Sequence, residues 1–185
     1  MESQFILASA SPRRLALLAQ IGIKPSSVHP AHIDETPHKN ELPEPYAKRM
    51  ALEKAEAVAN AMPGKTVLAA DTVVYCGRRI LPKAEDETVA RKCLDILSGR
   101  RHRVGTAVAI AKNGAVKVKF TVTHVRFKKL TPKEIEDYIA SGEWHGKAGG
   151  YAIQGKAAAF IPSINGSYSN VVGLPLAETK GMLER

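Results

Sequence analysis

Hydrophobic positions along the chain switch between two periods, and the switching points divide it into strands and helices. Phe5-Ile6-Leu7 is a short continuous apolar run, read as a buried strand that passes through Ala8-Ser9-Ala10 into a helix with Leu15, Leu17, Leu18 and Ile21 on its apolar side. Ser11 and Pro12 suit the N-cap and first helical positions, where a proline has no N–H to leave unpaired. From about Glu44, Ala47, Met50, Ala51, Ala55, Val58, Ala59 and Met62 recur at three and four residues, which predicts a helix ended by Pro63-Gly64. Residues 66–76 are apolar and β-branched in the manner of a central strand, and residues 78–81 read as its return arm about Gly77. Residues 85–97 are helical, with Ala90, Cys93, Leu94 and Leu97 inward. A hairpin about Asn113-Gly114 joins strands 103–112 and 116–127, the second alternating Val116, Val118, Phe120 and Val122 with Lys117, Lys119, Thr121 and Thr123. Thr131-Pro132 starts a short helix to about Ala140, a glycine-rich segment covers 142–155, and a last helix begins near Leu174. Strands alternating with helices, one pair of them antiparallel, predict an α/β fold on a mixed sheet, and 185 residues suit one domain, 1–185, folded as two lobes around a cleft.

Four places break this pattern. Arg13 and Arg14 sit in the first turn of the first helix, where the partial positive charge of the helix end disfavours cations by about 0.3 to 1 kcal/mol each. An anion would reverse the sign, and backbone N–H groups, the Ser11 hydroxyl and two guanidinium forks at one helix end suit phosphate oxygens, the alternative being a solvated basic helix end. Lys54 occupies the apolar stripe of the second helix, so it either snorkels to the rim or meets an anion in a pocket; without such an anion its removal should raise the stability of the free protein. Asp71 interrupts Val67-Leu68-Ala69-Ala70 and Thr72-Val73-Val74, as a partner for a cation or metal, a general base, or the last residue of a strand entering a turn. The segment Gly150 to Ala157 comes within one residue of a phosphate-binding loop, but Ala157 lacks the hydroxyl that would meet magnesium, so a Walker loop is not supported. Gln154 within it carries both an acceptor and donors and can read a nucleobase edge.

Charge narrows the class of partner. The net charge of +9, from 27 Lys and Arg against 18 Asp and Glu, points to a polyanion. Nucleic acid is disfavoured by an aromatic content of 5% and the lack of a base-stacking pattern. No run approaches the roughly 18 apolar residues of a membrane span, and Phe5-Ile6-Leu7 is too short an apolar run for a signal peptide. Two separated cysteines, Cys76 and Cys93, fit a reducing cytoplasm. Residues 24–45 form a polar loop in which Glu35, taken alone, is a surface charge, and His29, His32 and His38 have no metal-ligand spacing and read as solvated.

Three motifs together, Ser9-Ala10-Ser11-Pro12-Arg13-Arg14, Ala70-Asp71-Thr72-Val73-Val74 and Gly149-Gly150-Tyr151-Ala152-Ile153-Gln154-Gly155, with Ile164-Asn165-Gly166-Ser167-Tyr168 and 171–176 behind them, are similar to the Maf family of nucleotide pyrophosphatases. The resemblance runs from about Leu7 to Glu178. It implies a Maf/ITPase-like fold, a mixed, strongly curved sheet flanked by helices with two lobes around a central cleft. It also implies hydrolysis of nucleoside triphosphates to monophosphate and pyrophosphate with a divalent metal, magnesium or manganese, in a chain that is often a homodimer. Asp71 then takes the proton-acceptor role, Glu35 that of the acidic loop residue near metal and phosphate, and Lys54 and Lys83 those of phosphate-binding lysines. Glu35 and Asp71 are the implied metal ligands, and Ser9, Ser11, Arg13, Arg14, Thr72 and Gln154 the implied substrate contacts. Arg13, Thr72 and Gln154 match the branch acting on dTTP and UTP. The other readings are a related hydrolase of modified or purine triphosphates and a basic nucleic-acid-binding or cell-division regulator. Where the family has Lys-Pro, this chain has Lys83-Ala84 after Pro82, so the loop carrying Lys83 is expected to sit differently.

Overall fold

In the computed structural model, which describes residues 5–184, the chain runs β1 (Phe5–Leu7), α1 (Pro12–Gln20), β2 (Ser27–Val28), α2 (Pro43–Ala61), β3 (Thr66–Cys76), β4 (Arg79–Leu81), β5 (Lys83–Ala84), α3 (Glu87–Leu97), β6 (Arg101–Lys112), β7 (Ala115–Arg126), α4 (Pro132–Ala140), β8 (Lys147–Ala148), β9 (Ser163–Asn165), α5 (Tyr168–Val172) and α6 (Leu176–Leu183). Strands β2, β1 and β3 are parallel, β6, β7 and β9 continue the sheet antiparallel, and β4 folds back on β3. A second, two-stranded piece pairs β5 with β8. No described helix is long and apolar enough to cross a membrane.

Central strand β3 is buried on both faces, and the alternation of its side chains divides the core in two. Val67, Ala69, Val73 and Tyr75 pack with Ala47, Ala51, Ala55 and Val58 of α2. Leu68, Ala70 and Val74 pack on the opposite face with residues of α1, α3 and α4. The α2 interface is rich in alanine, with Ala107, Ala109 and Ala111 of β6 facing Ala51 and Ala55, so helix and sheet approach closely. That close approach lets a lysine on α2 reach a carboxylate on the sheet.

Several expectations are corrected. Leu15 is 41% exposed, because α1 turns Leu17 and Leu18 inward instead, and Ala59 and Met62 are only partly buried near the end of α2. The stretch after Gly142 holds more order than its glycines suggest: β8, a 3-10 turn over Lys156–Phe160, β9 and α5. Elements of two to five residues carry too little periodicity to stand out in a sequence.

Candidate active site

A cleft of about 820 Å³ opens beside the end of β1, where β3 runs on past its neighbour. Asp71 and Thr72 both line it, although as consecutive strand residues they point to opposite faces of the sheet. Asp71 stands in the stripe that faces α2, and its Oδ1 accepts a 2.7 Å hydrogen bond from Lys54 Nζ. The same ammonium lies 2.8 Å from Glu35 Oε1, so one cation joins two carboxylates. β3 continues through Asp71 to Cys76, which removes the strand-end reading of that residue. Lys54 is buried at 8% exposure and its anions come from the protein itself, so the expectation that its removal would stabilise the free protein is overturned.

The two carboxylates are tuned in opposite directions. Burial pushes Asp71 above the ordinary carboxylate range, against the pull of Lys54 and Arg14. Burial is also the largest single influence on Glu35 and pushes it up, but its hydrogen bond to Lys54 and the charges of Lys54, Lys83 and Arg14 together outweigh it and hold it below the ordinary range. Asp71 is therefore the better proton acceptor and Glu35 the more persistent anion. Glu35 is delivered by the polar loop, whose backbone α2 pins: Tyr46 Oη donates to the Glu35 carbonyl at 2.9 Å and Arg49 Nη2 to the Thr36 carbonyl at 3.2 Å. His29, His32 and His38 are exposed, as solvated loop histidines should be.

On the other face, Arg14 braces the wall. Its Nε donates to the Gly173 carbonyl (2.8 Å), Nη1 to Ser9 Oγ (3.0 Å) and Nη2 to Thr72 Oγ1 (3.2 Å). Thr106 donates its single hydroxyl hydrogen to the Asn170 carbonyl at 3.0 Å, so the 2.9 Å contact between Thr72 and Thr106 has Thr72 as donor. Ser11 stands at the N-cap of α1, but its hydroxyl makes no capping bond. The expected side-chain cap is absent, and the first amides of α1 remain available at the cleft. Arg13 also lines the cleft and makes no hydrogen bond or ion pair among the described residues; burial lowers its pKa.

The remaining wall comes from the smaller sheet and the glycine-rich segment. Lys83 lies on β5, paired with Ala148 of β8, and lines the cleft. Gly149 takes φ +67° and packs where a Cβ would stand 2.7 Å from Val74 Cγ1, which brings this segment tight against β3. Gln154 is exposed at the cleft, its side-chain amide without a hydrogen bond among the described residues. Lys147, which sequence reasoning missed, lines the same cleft; burial and the neighbouring Arg13 and Lys83 lower its pKa. Its cation lies beside a hydrophobic pattern too short to flag it.

Two carboxylates are hard oxygen donors that suit magnesium or manganese, and among the described residues no group of three His, Cys, Asp or Glu gathers anywhere. Glu35 and Asp71 supply two donors of the kind such an ion takes.

The profile of a family described as "Maf-like protein" matches residues 4–185. A protein of Zymomonas mobilis named dTTP/UTP pyrophosphatase is 64% identical over 184 residues, covering 99% of this chain and 91% of its own length. One of the same name from Paramagnetospirillum magneticum is 62% identical over 180 residues, with 97% and 95% covered. Among solved structures, the Ham1 protein of Staphylococcus aureus superposes with a TM-score of 0.59 at 14% identity over 98% of both chains, a likeness of fold.

Proposed function

The chain belongs to the Maf-like protein family, and from that premise we propose that it hydrolyses dTTP and UTP to the monophosphate and pyrophosphate, with Asp71 as the proton acceptor. The observation that carries this reading is the Asp71–Lys54–Glu35 unit on one wall of a nucleotide-sized cleft whose other residues include Arg13, Arg14, Lys83 and Lys147. Those cations and the uncapped N-terminus of α1 would hold the triphosphate, with Ser9 and Ser11 beside them. Asp71 Oδ1 is taken by Lys54, while Oδ2 has no partner among the described residues and is not among the atoms sealed from solvent. From there Asp71 would take a proton from water as the water oxygen bonds to the α-phosphorus. The bond from that phosphorus to the α–β bridging oxygen breaks, and pyrophosphate leaves with the electron pair. A divalent metal held by Glu35 and Asp71 would, when bound, offset phosphate charge.

Gln154 would read the base, since uracil and thymine offer an N3–H donor beside a carbonyl, matching one acceptor and one donor of a primary amide. Cytosine lacks that proton. Thr72 and Arg13 complete this reading. A cytoplasmic location suits the free thiols of Cys76 and Cys93, and the family resemblance supports a homodimer, which sedimentation of the purified chain would read directly. The test is pyrophosphate release from UTP, dTTP, CTP, GTP and a methylated GTP, with and without magnesium or manganese. UTP and dTTP should be cleaved fastest, and only with metal; a clear preference for a purine triphosphate would contradict the base reading.

A further inference from the structure

The near-miss phosphate loop does bind an anion, and the anion is internal. Glu143 Oε2 accepts from the backbone N–H of Lys156 at 2.9 Å and Oε1 from that of Ala157 at 3.4 Å, at the start of the 3-10 turn. Gly155 allows this, because a Cβ there would collide with the Glu143 carboxylate. Oε1 also accepts from Tyr138 Oη at 3.0 Å, and that phenol oxygen accepts from the N–H of Ala152 at 3.2 Å. Both ends of the segment from Ala152 to Ala157 are therefore tied to one phenol–carboxylate pair, and Gln154 lies midway between the ties. Tyr138 is 2% exposed, so water is a poor substitute at the inner tie.

We propose that Glu143 is a positioning residue for base selection, its carboxylate filling the loop's anion site so that the loop becomes a fixed mount for Gln154. This rests on the reading of Gln154 as the residue that meets the base. Hydrogen bonds to a carboxylate are about twice as strong as neutral ones, which is what an exposed reader on a glycine-rich segment needs to keep its amide in one place. Glu143 touches no substrate in this account. Its loss frees the backbone amides of Lys156 and Ala157 and deprives the phenol that holds Ala152 of its acceptor, while leaving Asp71, Lys54 and Glu35 in place on the far wall.

The experiment compares kcat/KM for UTP and CTP in the wild type, Gln154→Ala, Glu143→Ala, Glu143→Gln and Tyr138→Phe. Gln154→Ala should lower the UTP to CTP ratio by about 10- to 100-fold, the scale of an unpaired buried polar group. Glu143→Ala should lower it by about tenfold with CTP turnover within about threefold of wild type, and Glu143→Gln, which keeps an acceptor oxygen, should restore most of it. A merely structural role would reduce both substrates together, and that result would overturn the proposal. Tyr138→Phe removes a single oxygen and serves if Glu143→Ala does not fold; a ratio unchanged in that variant also overturns it. If Gln154→Ala leaves the ratio untouched, the base reading falls and this inference with it, whereas an effect of Gln154→Ala alone sinks only the mount.

Discussion

The two walls of the cleft are built by opposite means. The wall facing α2 is organised by charge: a buried lysine between two carboxylates, held by an alanine-rich helix contact that brings them within hydrogen-bond distance. The wall carrying Gln154 also presents Lys83 and Lys147, but its loop is held by hydrogen bonds to backbone, with the Glu143 carboxylate spent on amides of that loop. Groups with shifted pKa values suit proton transfer, and rigid neutral groups suit reading a base edge. On the proposed reading the comparison separates rate from selection, and each wall should fail in its own way.

The largest effect is expected from Asp71→Asn, which keeps the shape and loses the basic oxygen. Turnover should fall by about 100- to 10,000-fold on every nucleotide alike, while triphosphate binding by calorimetry changes little. Burial raises the Asp71 pKa, so its contribution to stability is fully present below the ordinary carboxylate pKa and is lost as pH rises through the raised value. Above that value this contribution is gone, and what the Asp71 charge still supplies is its pairing with buried Lys54. The wild-type rate should climb with pH through the raised Asp71 pKa.

Removing the cation tests the charged wall from the other side. Lys54→Met leaves Asp71 buried and facing Glu35 without its hydrogen-bonded cation, with only the more distant pull of Arg14, which should destabilise the fold by about 3 to 5 kcal/mol. Denaturation at two pH values sharpens this, since the loss should be larger where Asp71 is ionised than where it is protonated. Equal losses at both would show that the missing packing, and not the charge, is responsible.

A smaller effect, with the opposite pH sign, belongs to the Gln154 side, where His102 meets Tyr151. His102 is buried with its Nε2 2.7 Å from Tyr151 Oη, and burial pulls its pKa down to about 4. Its stabilising contribution is complete above the ordinary histidine value near 6.5 and is lost as pH falls toward about 4, a cost on the order of 3 kcal/mol. Urea denaturation between pH 7 and 4.5 should show this slope, and His102→Gln should flatten it. A slope that survives the substitution would assign the acid sensitivity elsewhere.

The charged wall was legible because it violates patterns. An ionic residue inside an apolar strand or helix stripe is conspicuous, and β3 itself runs over the residues its composition predicts. The partnership of Lys54 with Asp71 was not legible, because it depends on how closely α2 approaches the sheet. Glu143 was silent for a different reason: a glutamate after Ser141-Gly142 looks like any surface turn until the amides of Lys156 and Ala157 fold over it. Ser11 misled in a small way, since it occupies the N-cap without making the bond that justifies the residue there. Short elements such as β5 and β8 are fixed by pairing Lys83–Ala84 with Lys147–Ala148, far along the chain, and no local window contains both.

The division between rate and selection is tested most directly by measuring kcat/KM for UTP and CTP side by side in Asp71→Asn and Gln154→Ala. Asp71→Asn should depress both substrates by the same factor and keep their ratio, whereas Gln154→Ala should collapse the ratio by about 10- to 100-fold and spare CTP. If Asp71→Asn altered the ratio as strongly as Gln154→Ala, or if Gln154→Ala slowed both substrates equally, the two walls would not be performing separate tasks.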